Sequence, residues 1–327
     1  MIWRTRLGKG VFELNYFDLH CDTILRCYEE RQSLYDNQEM NISLKRGVSG
    51  SSWVQAFAVW IRDEVRGAEA MEIFDGAYAA LQREIQAHPG VLFQVRTHSD
   101  LEQARRGNCC GALLTVEGGS VVGGDISRLY HLRDCGVKAI TLTWNGPNEI
   151  GDGALVEHPM GLSNFGIQLV EEMEHLGIVA DVSHASDALF ESVAEHTEKP
   201  FIATHSLSRA VCGHKRNLTD EQFKVIRDRG GLVGLNFVPF FLRQDGKAAV
   251  ADVLRHADHF LSLGGEKILA MGCDFDGTDL PEGLTGIESV PTLAEVFLRH
   301  GYPQQLVEDI FFNNAYAFFA KTLTEAL

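Results

Sequence analysis

The sequence predicts an α/β fold in which eight parallel strands alternate with helices and close into a single-domain (β/α)8 barrel. Three observations predict it. Eight short apolar runs recur along the chain, longer amphipathic stretches separate them, and His, Asp and Glu residues gather at the C-terminal ends of the runs. A chain of 327 residues falls within the range of one barrel. No linker or shift of composition divides it, so one domain is expected over 1–327, with the barrel core at 17–277 and C-terminal helices at 290–325. A doubly wound open sheet is the alternative.

The expected strands are 17–24, 53–61, 112–117, 139–145, 178–184, 201–206, 232–238 and 268–274. They are mostly continuous rather than alternating apolar runs, the pattern of strands covered on both faces. Helical periodicity occupies 67–88, 125–135, 162–176, 186–196, 219–229 and 248–263. In 162–176, Ser163 is placed to cap the start, Phe165, Leu169, Met173 and Leu176 share one face, and Gly177 can end the helix. Thr219 and Gln222 have capping-box spacing. A Phe-rich helix at 310–323 is expected over the barrel or at a subunit contact. The loop 146–161, rich in Gly, Pro and Asn, reads as an active-site loop.

Twenty-nine basic against forty-five acidic residues give a net charge of −16, which disfavours nucleic acid and anionic membranes as partners. The seven cysteines are scattered, with no CxxC pair, and read as buried free thiols rather than a disulfide framework or a Cys-rich zinc site. No signal-peptide pattern and no apolar stretch of about 18 residues is present, so a cytoplasmic location without membrane insertion is the expectation.

The chemistry lies at the strand ends. His20 and Asp22 close the first run, Glu117 the third, His184 the fifth, His205 the sixth and Asp274 the eighth. A lone strand-end His is more often a hydrogen-bonded core residue than a ligand. Five strands ending in such residues at one rim are harder to account for without a cation, because crowded carboxylates repel. His20, Asp22 and Glu117 could hold one ion, and Glu117, His184 and His205 a second, each with three protein ligands and an open position. Glu117 would bridge them through its two oxygens. These N and O donors suit two Zn²⁺, with Mn²⁺, Co²⁺ or Fe²⁺ admissible. Asp274 is placed as general base and acid, with Asp276 the weaker candidate. Arg216 could take a substrate carboxylate bidentately or pair with a surface acid. His88, His98, His131, His175, His196, His256, His259 and His300 read as surface or supporting residues.

The segments FDLHCDT, LLTVEGG, TLTWNGPNEI, GLSNFGIQLVEEMEHLGIVADVSHAS, PFIATHSLSRAVCGHKRNLTDEQF, GGLVGLNF and MGCDFDG occur in an order and spacing that resemble the membrane dipeptidase (renal dipeptidase-like) family. The resemblance implies a TIM-type barrel, a binuclear zinc site and dipeptide hydrolysis, often tolerant of a D-residue at the C-terminal position. It implies His20, Asp22, Glu117, His184 and His205 as metal ligands, Arg216 at the substrate carboxylate, Asp274 as the catalytic aspartate, and a homodimer. Two positions depart from the family pattern: Trp144 stands where a substrate-binding His is expected, and Phe241 lies nearest to where a Tyr is expected. A zinc dipeptidase is therefore the leading expectation. The same metals acting on an N-acyl amino acid or another small amide is the rival, favoured by the apolar wall that Trp144 would make. A non-catalytic metal-binding scaffold is the third reading.

Overall fold

The structure, a computed structural model, describes residues 4–7, 10–47 and 51–323. Strands β1 (Arg4–Leu7) and β2 (Gly10–Glu13) form an antiparallel hairpin outside the main sheet. The sheet contains β3 (Tyr16–Asp18), β4 (Trp53–Trp60), β5 (Leu92–Gln94), β6 (Cys110–Glu117), β7 (Val137–Thr141), β8 (Val179–Asp181), β9 (Val233–Leu235) and β10 (Leu269–Met271). Its parallel order is β8-β7-β6-β4-β3-β10-β9, with β5 beside β6. Ile202 bridges Asp181 of β8, and Ala203 bridges Val233 of β9. Through these two residues the pairing returns to its start, so the expected α/β class with a parallel sheet is present.

Two apolar layers follow from the alternation of side chains along each strand. Phe17, Val54, Leu113, Ala139, Val179, Ile202, Leu232 and Ala270, one from each segment of the circuit, form a single buried cluster. The opposite faces, including Phe57, Val59, Leu114, Val116 and Ile140, pack against the helices. The inner cluster is capped by the C-terminal helix Asn314–Thr322, whose Phe319 ring stacks on Phe17 at 5.5 Å. Asn314 fixes this cap by donating to the carbonyls of Glu266 and Leu269, just before and at the start of β10. The Phe-rich face is thus spent inside the chain, at the end opposite the strand tips. Among the described residues no helix is long and apolar enough to cross a membrane, and all seven cysteines are free and buried.

The helices expected at 162–176 and 219–229 occur as Asn164–Leu176, capped by Ser163 and ended by Gly177 at φ 70°, and Asp220–Asp228, opened by the Thr219–Gln222 box. Two strand expectations need correction. The first strand stops at Asp18, and a helix, Thr23–Glu29, begins inside the expected run. A continuous apolar stretch does not distinguish a buried strand from a helix that follows it directly. The expected strand at 201–206 is reduced to single bridges at Ile202 and Ala203. There the Thr204 carbonyl presses so closely on Gly234 and Gly272 that a Cβ at either would come within 1.9 Å of its oxygen, a backbone approach that only glycine permits. β5 and the helix His98–Arg105 were not expected. β5 fills the edge of β6 that β7 reaches only from Leu114 onward.

His256, expected at the surface or in support of the site, is instead fully buried. It accepts from the Ser208 N–H and donates to the Leu242 carbonyl. Burial holds the imidazole down at about 4, against about 6.5 in an unfolded chain. Between those values the unfolded chain takes up a proton that the folded one refuses, so stability falls as pH drops through 6.5 and the loss levels off near 4. Urea unfolding at about pH 7.5 and about pH 5 should show wild type losing about 2 kcal/mol more than His256→Asn. Equal losses would reject this assignment.

Candidate metal centre

The strand tips carry the site. His20 and Asp22 follow β3, Glu117 ends β6, His184 and Asp274 lie three residues beyond β8 and β10, and His205 follows the bridge at Ala203. All six are buried, as is Arg216. His20 and Asp22 lie past the end of the strand proper. They are aligned by continued pairing, Asp22 N–H to the Phe275 carbonyl and Asp274 N–H to the His20 carbonyl.

Glu117 lies at the centre. Its Oε2 is 3.5 Å from His20 Nε2, while its Oε1 is 2.7 Å from His184 Nε2 and 3.5 Å from His205 Nε2. His20 Nε2 is also 3.6 Å from Asp22 Oδ2 and 3.8 Å from Asp274 Oδ1. Ligand atoms of His20, Glu117 and His205 lie within 4.8 Å of one another, and so do those of His20, Asp22 and Asp274. His184 and His205 bring their Nε2 atoms to 3.0 Å.

The supporting contacts aim these nitrogens. His184 Nδ1 meets Asn145 Oδ1 at 3.0 Å, and His205 Nδ1 meets Thr204 Oγ1 at 2.8 Å. An Nδ1–H donated by His205 leaves its Nε2 as a lone pair, while His184 Nε2, 2.7 Å from Glu117 Oε1 and 3.0 Å from His205 Nε2, is within hydrogen-bond reach of both.

Burial, reinforced by Arg216, pushes the His184 imidazole down to about 4, and burial with the neighbouring His20 also lowers His205. Both are therefore neutral donors. Burial would lower His20 as well, but Glu117 and Asp22 outweigh it and hold it well above its ordinary value. Burial would raise Glu117, yet His20 and His184 keep it well below the usual range. Asp22 is pushed up to about 7 by burial and by Glu117 and Asp274, which outweigh His20. The cluster thus draws positive charge to its centre. His20 Nε2 and Asp22 Oδ1 are buried with no hydrogen-bond partner, a costly condition unless something else binds them. Three imidazoles and three carboxylates around these atoms fit divalent cations.

A cavity of about 330 Å³ opens above the cluster. Asp22, Glu117, His184 and Asp274 reach it from below, with Trp60, Trp144, Arg216 and Phe241 around it. All three guanidinium nitrogens of Arg216 are buried without partners. Its charged plane lies 5.4 Å from the Phe241 ring centroid, a cation–π support. No surface acid pairs with it among the described residues, which removes one of the two expectations for Arg216. Trp144 packs edge-on against Trp60 at 5.0 Å.

Asp276 does not face the cluster. It accepts from Thr23 Oγ1, Arg26 and the Asn41 and Ile42 amides, tying the loop after β10 to the first helix. Trp60, Asn145, Thr204 and Asn236 were not nominated from the sequence. Asn145 adjoins Trp144 and Thr204 directly precedes His205, but nothing local marked the contacts of these residues.

Gly277 shows how tightly the two aspartates are set. A Cβ there would lie 2.1 Å from Asp22 Oδ2 and 2.4 Å from Asp274 Oδ1. Gly277→Ala should therefore displace both carboxylates and lower kcat/KM at least about tenfold while the fold persists. Unchanged kinetics with unchanged metal content would reject this.

A model of the membrane dipeptidase family (peptidase family M19) matches residues 11–325. The chain is 33% identical over 246 residues to the "uncharacterized protein in pqqA 5'region" of Klebsiella pneumoniae, covering 72% of this chain and 91% of that protein. It is 27% identical over 279 residues to dipeptidase 3 of Rattus norvegicus, covering 83% of this chain but only 56% of the rat protein. Among solved structures it is similar to the metallopeptidase dipeptidase AC of family M19, with a TM-score of 0.88, 28% identity and coverage of 95% of this chain and 99% of that one. The metallopeptidase of Rhodobacter sphaeroides liganded with a phosphinate mimic of the dipeptide L-Ala-D-Ala also matches at a TM-score of 0.88, with 27% identity and coverage of 94% and 99%. A match over nearly the whole chain, with the strand-tip cluster in place, makes this chain a member of the membrane dipeptidase family, peptidase family M19.

Proposed function

We propose that the chain is a (β/α)8-barrel dipeptidase that holds two divalent cations, zinc by donor preference, on either side of Glu117. The observation that carries this is the division of the Glu117 carboxylate, Oε2 toward His20 and Oε1 toward His184 and His205. Such ions supply an activated water and polarise the scissile carbonyl. Asp274 accepts the proton of the attacking water and passes it to the leaving amine. Arg216, with its donors free, binds the C-terminal carboxylate, and Phe241 keeps its plane in place. Trp144 and Trp60 form the apolar wall against which the rest of the substrate packs. The L-Ala-D-Ala mimic bound by the Rhodobacter sphaeroides relative supports an L-Xaa-D-Xaa substrate.

Trp144 also favours a second reading, a small amide or N-acyl amino acid in place of the dipeptide, because its indole offers one N–H donor and no charge. The test is metal content per chain together with turnover of L,L- and L,D-dipeptides and N-acyl amino acids by zinc- or cobalt-loaded protein. Two ions per chain and dipeptide turnover are expected. Turnover of N-acyl amino acids alone would shift the assignment to the second reading. As a further control, Arg216→Met should reduce kcat/KM for a dipeptide by roughly 10²–10³-fold while barely affecting its C-terminal amide, which lacks the carboxylate.

A further inference from the structure

We propose that Thr204, held by Asp181, is a positioning residue that fixes His205 as its Nδ1–H tautomer and so aims the Nε2 lone pair at Glu117. The consequence for cation binding rests on the two-cation reading above, but the tautomer itself does not.

Asp181, at the end of β8, is almost completely buried. It gathers donors from two neighbouring segments and from its own. Oδ2 accepts from Thr141 Oγ1 at 2.5 Å and Thr204 Oγ1 at 2.6 Å. Oδ1 accepts from Ser183 Oγ at 2.6 Å and from the amides of Ser183 and Thr204, each at 3.0 Å. Every approach to its two oxygens is a donor.

A threonine hydroxyl has one proton. Thr204 donates its proton to Asp181, so its oxygen meets His205 Nδ1 at 2.8 Å as an acceptor. In the neutral ring Nδ1 then carries the proton, and Nε2 carries none. Ser183 does not disturb this: its Oγ lies 3.0 Å from Thr204 Oγ1 but only 2.6 Å from Asp181 Oδ1, where its own proton goes. The same Ser183 Oγ accepts the His205 amide at 3.1 Å, fixing backbone and ring to one hub. A hydroxyl polarised by a carboxylate is also a stronger acceptor than a free one. His184 is oriented differently, by a single Asn145 amide oxygen from the loop after β7. The two imidazoles that face Glu117 Oε1 therefore take their Nδ1 support from different residues, although their Nε2 atoms lie 3.0 Å apart.

The test uses the full-length protein. Nitrogen-15 NMR of the His205 ring in metal-free wild type should show Nδ1 protonated and Nε2 bare; the reverse would overturn the proposal without any variant. Thr204→Val removes the acceptor at nearly constant volume and should mix the two tautomers, and Thr204→Ser should restore one. In stepwise cobalt titration, Thr204→Val should weaken one of the two ions about 10–100-fold and leave the other within about twofold. Unchanged affinity for both ions, with wild type binding two, would overturn the link to cation binding. Wild type binding fewer than two ions would instead refute the two-cation reading, and the tautomer measurement would still decide the role of Thr204. Thermal unfolding of the metal-free variant close to that of wild type separates positioning from a general loss of fold.

Discussion

Glu117→Gln is expected to abolish tight binding of both cations and to lower kcat/KM at least about 10³-fold. Gln keeps the volume of Glu, so the β6 tip and its pairing with Trp60 of β4 should survive. Two things are lost. One is the negative charge that would offset the two cations. The other is the symmetry of the carboxylate, since an amide offers one good oxygen and turns N–H toward the other side. Either Oε2, facing His20, or Oε1, facing His184 and His205, must then present a donor to a cation. His205→Ala is the contrasting case. It removes one ligand from one side, so about one ion per chain should remain, with activity still strongly reduced. Metal analysis after dialysis, alongside dipeptide turnover, reads both. If Glu117→Gln keeps either ion at wild-type affinity, Glu117 does not bridge.

The sequence made the strand tips legible because apolar runs gain nothing from ending in His, Asp or Glu at one rim unless a cation gathers them. Six of the nominated residues do lie within one buried cluster. How those residues are held was not legible. His20 and Asp22 were expected to close the first strand; in fact they follow it, aligned by bonds to the backbone after β10. Asn145 reaches His184, and Asp181 reaches Thr204, through contacts between different segments, and such contacts leave no local pattern. The sixth strand is shorter than expected, and the close approach of its Thr204 carbonyl to Gly234 and Gly272 on two neighbouring segments is not visible in its own residues. Asp274 and Asp276 illustrate the same limit. Both follow β10 in one motif, yet one faces the cluster and the other staples a loop.

For Asp274, the Asn variant should lower kcat by about 10²–10⁴-fold, with KM changed only a few-fold and both ions retained. The backbone there is at φ 62°, a conformation that Asn, like Asp, adopts more readily than other side chains, so the substitution removes a proton acceptor without moving the chain. The amide oxygen introduced by Asp274→Asn can still accept from Asn236 Nδ2, which lies 3.2 Å from Asp274 Oδ2. The pH profile gives a second, independent reading. Burial and Glu117 together outweigh His20 and Arg216 and raise the Asp274 carboxyl above its ordinary value. As pH falls, Asp274 takes up a proton and can no longer receive one from the attacking water, so wild-type kcat should fall on the acid side. The amide of the variant has nothing to titrate, and that limb should disappear from its residual activity. Metal content separates the remaining alternative, because Asp274 also lies within ligand distance of His20 and Asp22. A variant that loses one ion would make Asp274 a ligand. One that keeps both ions, keeps its acid limb and turns over at the wild-type rate would remove Asp274 from the proton transfer altogether.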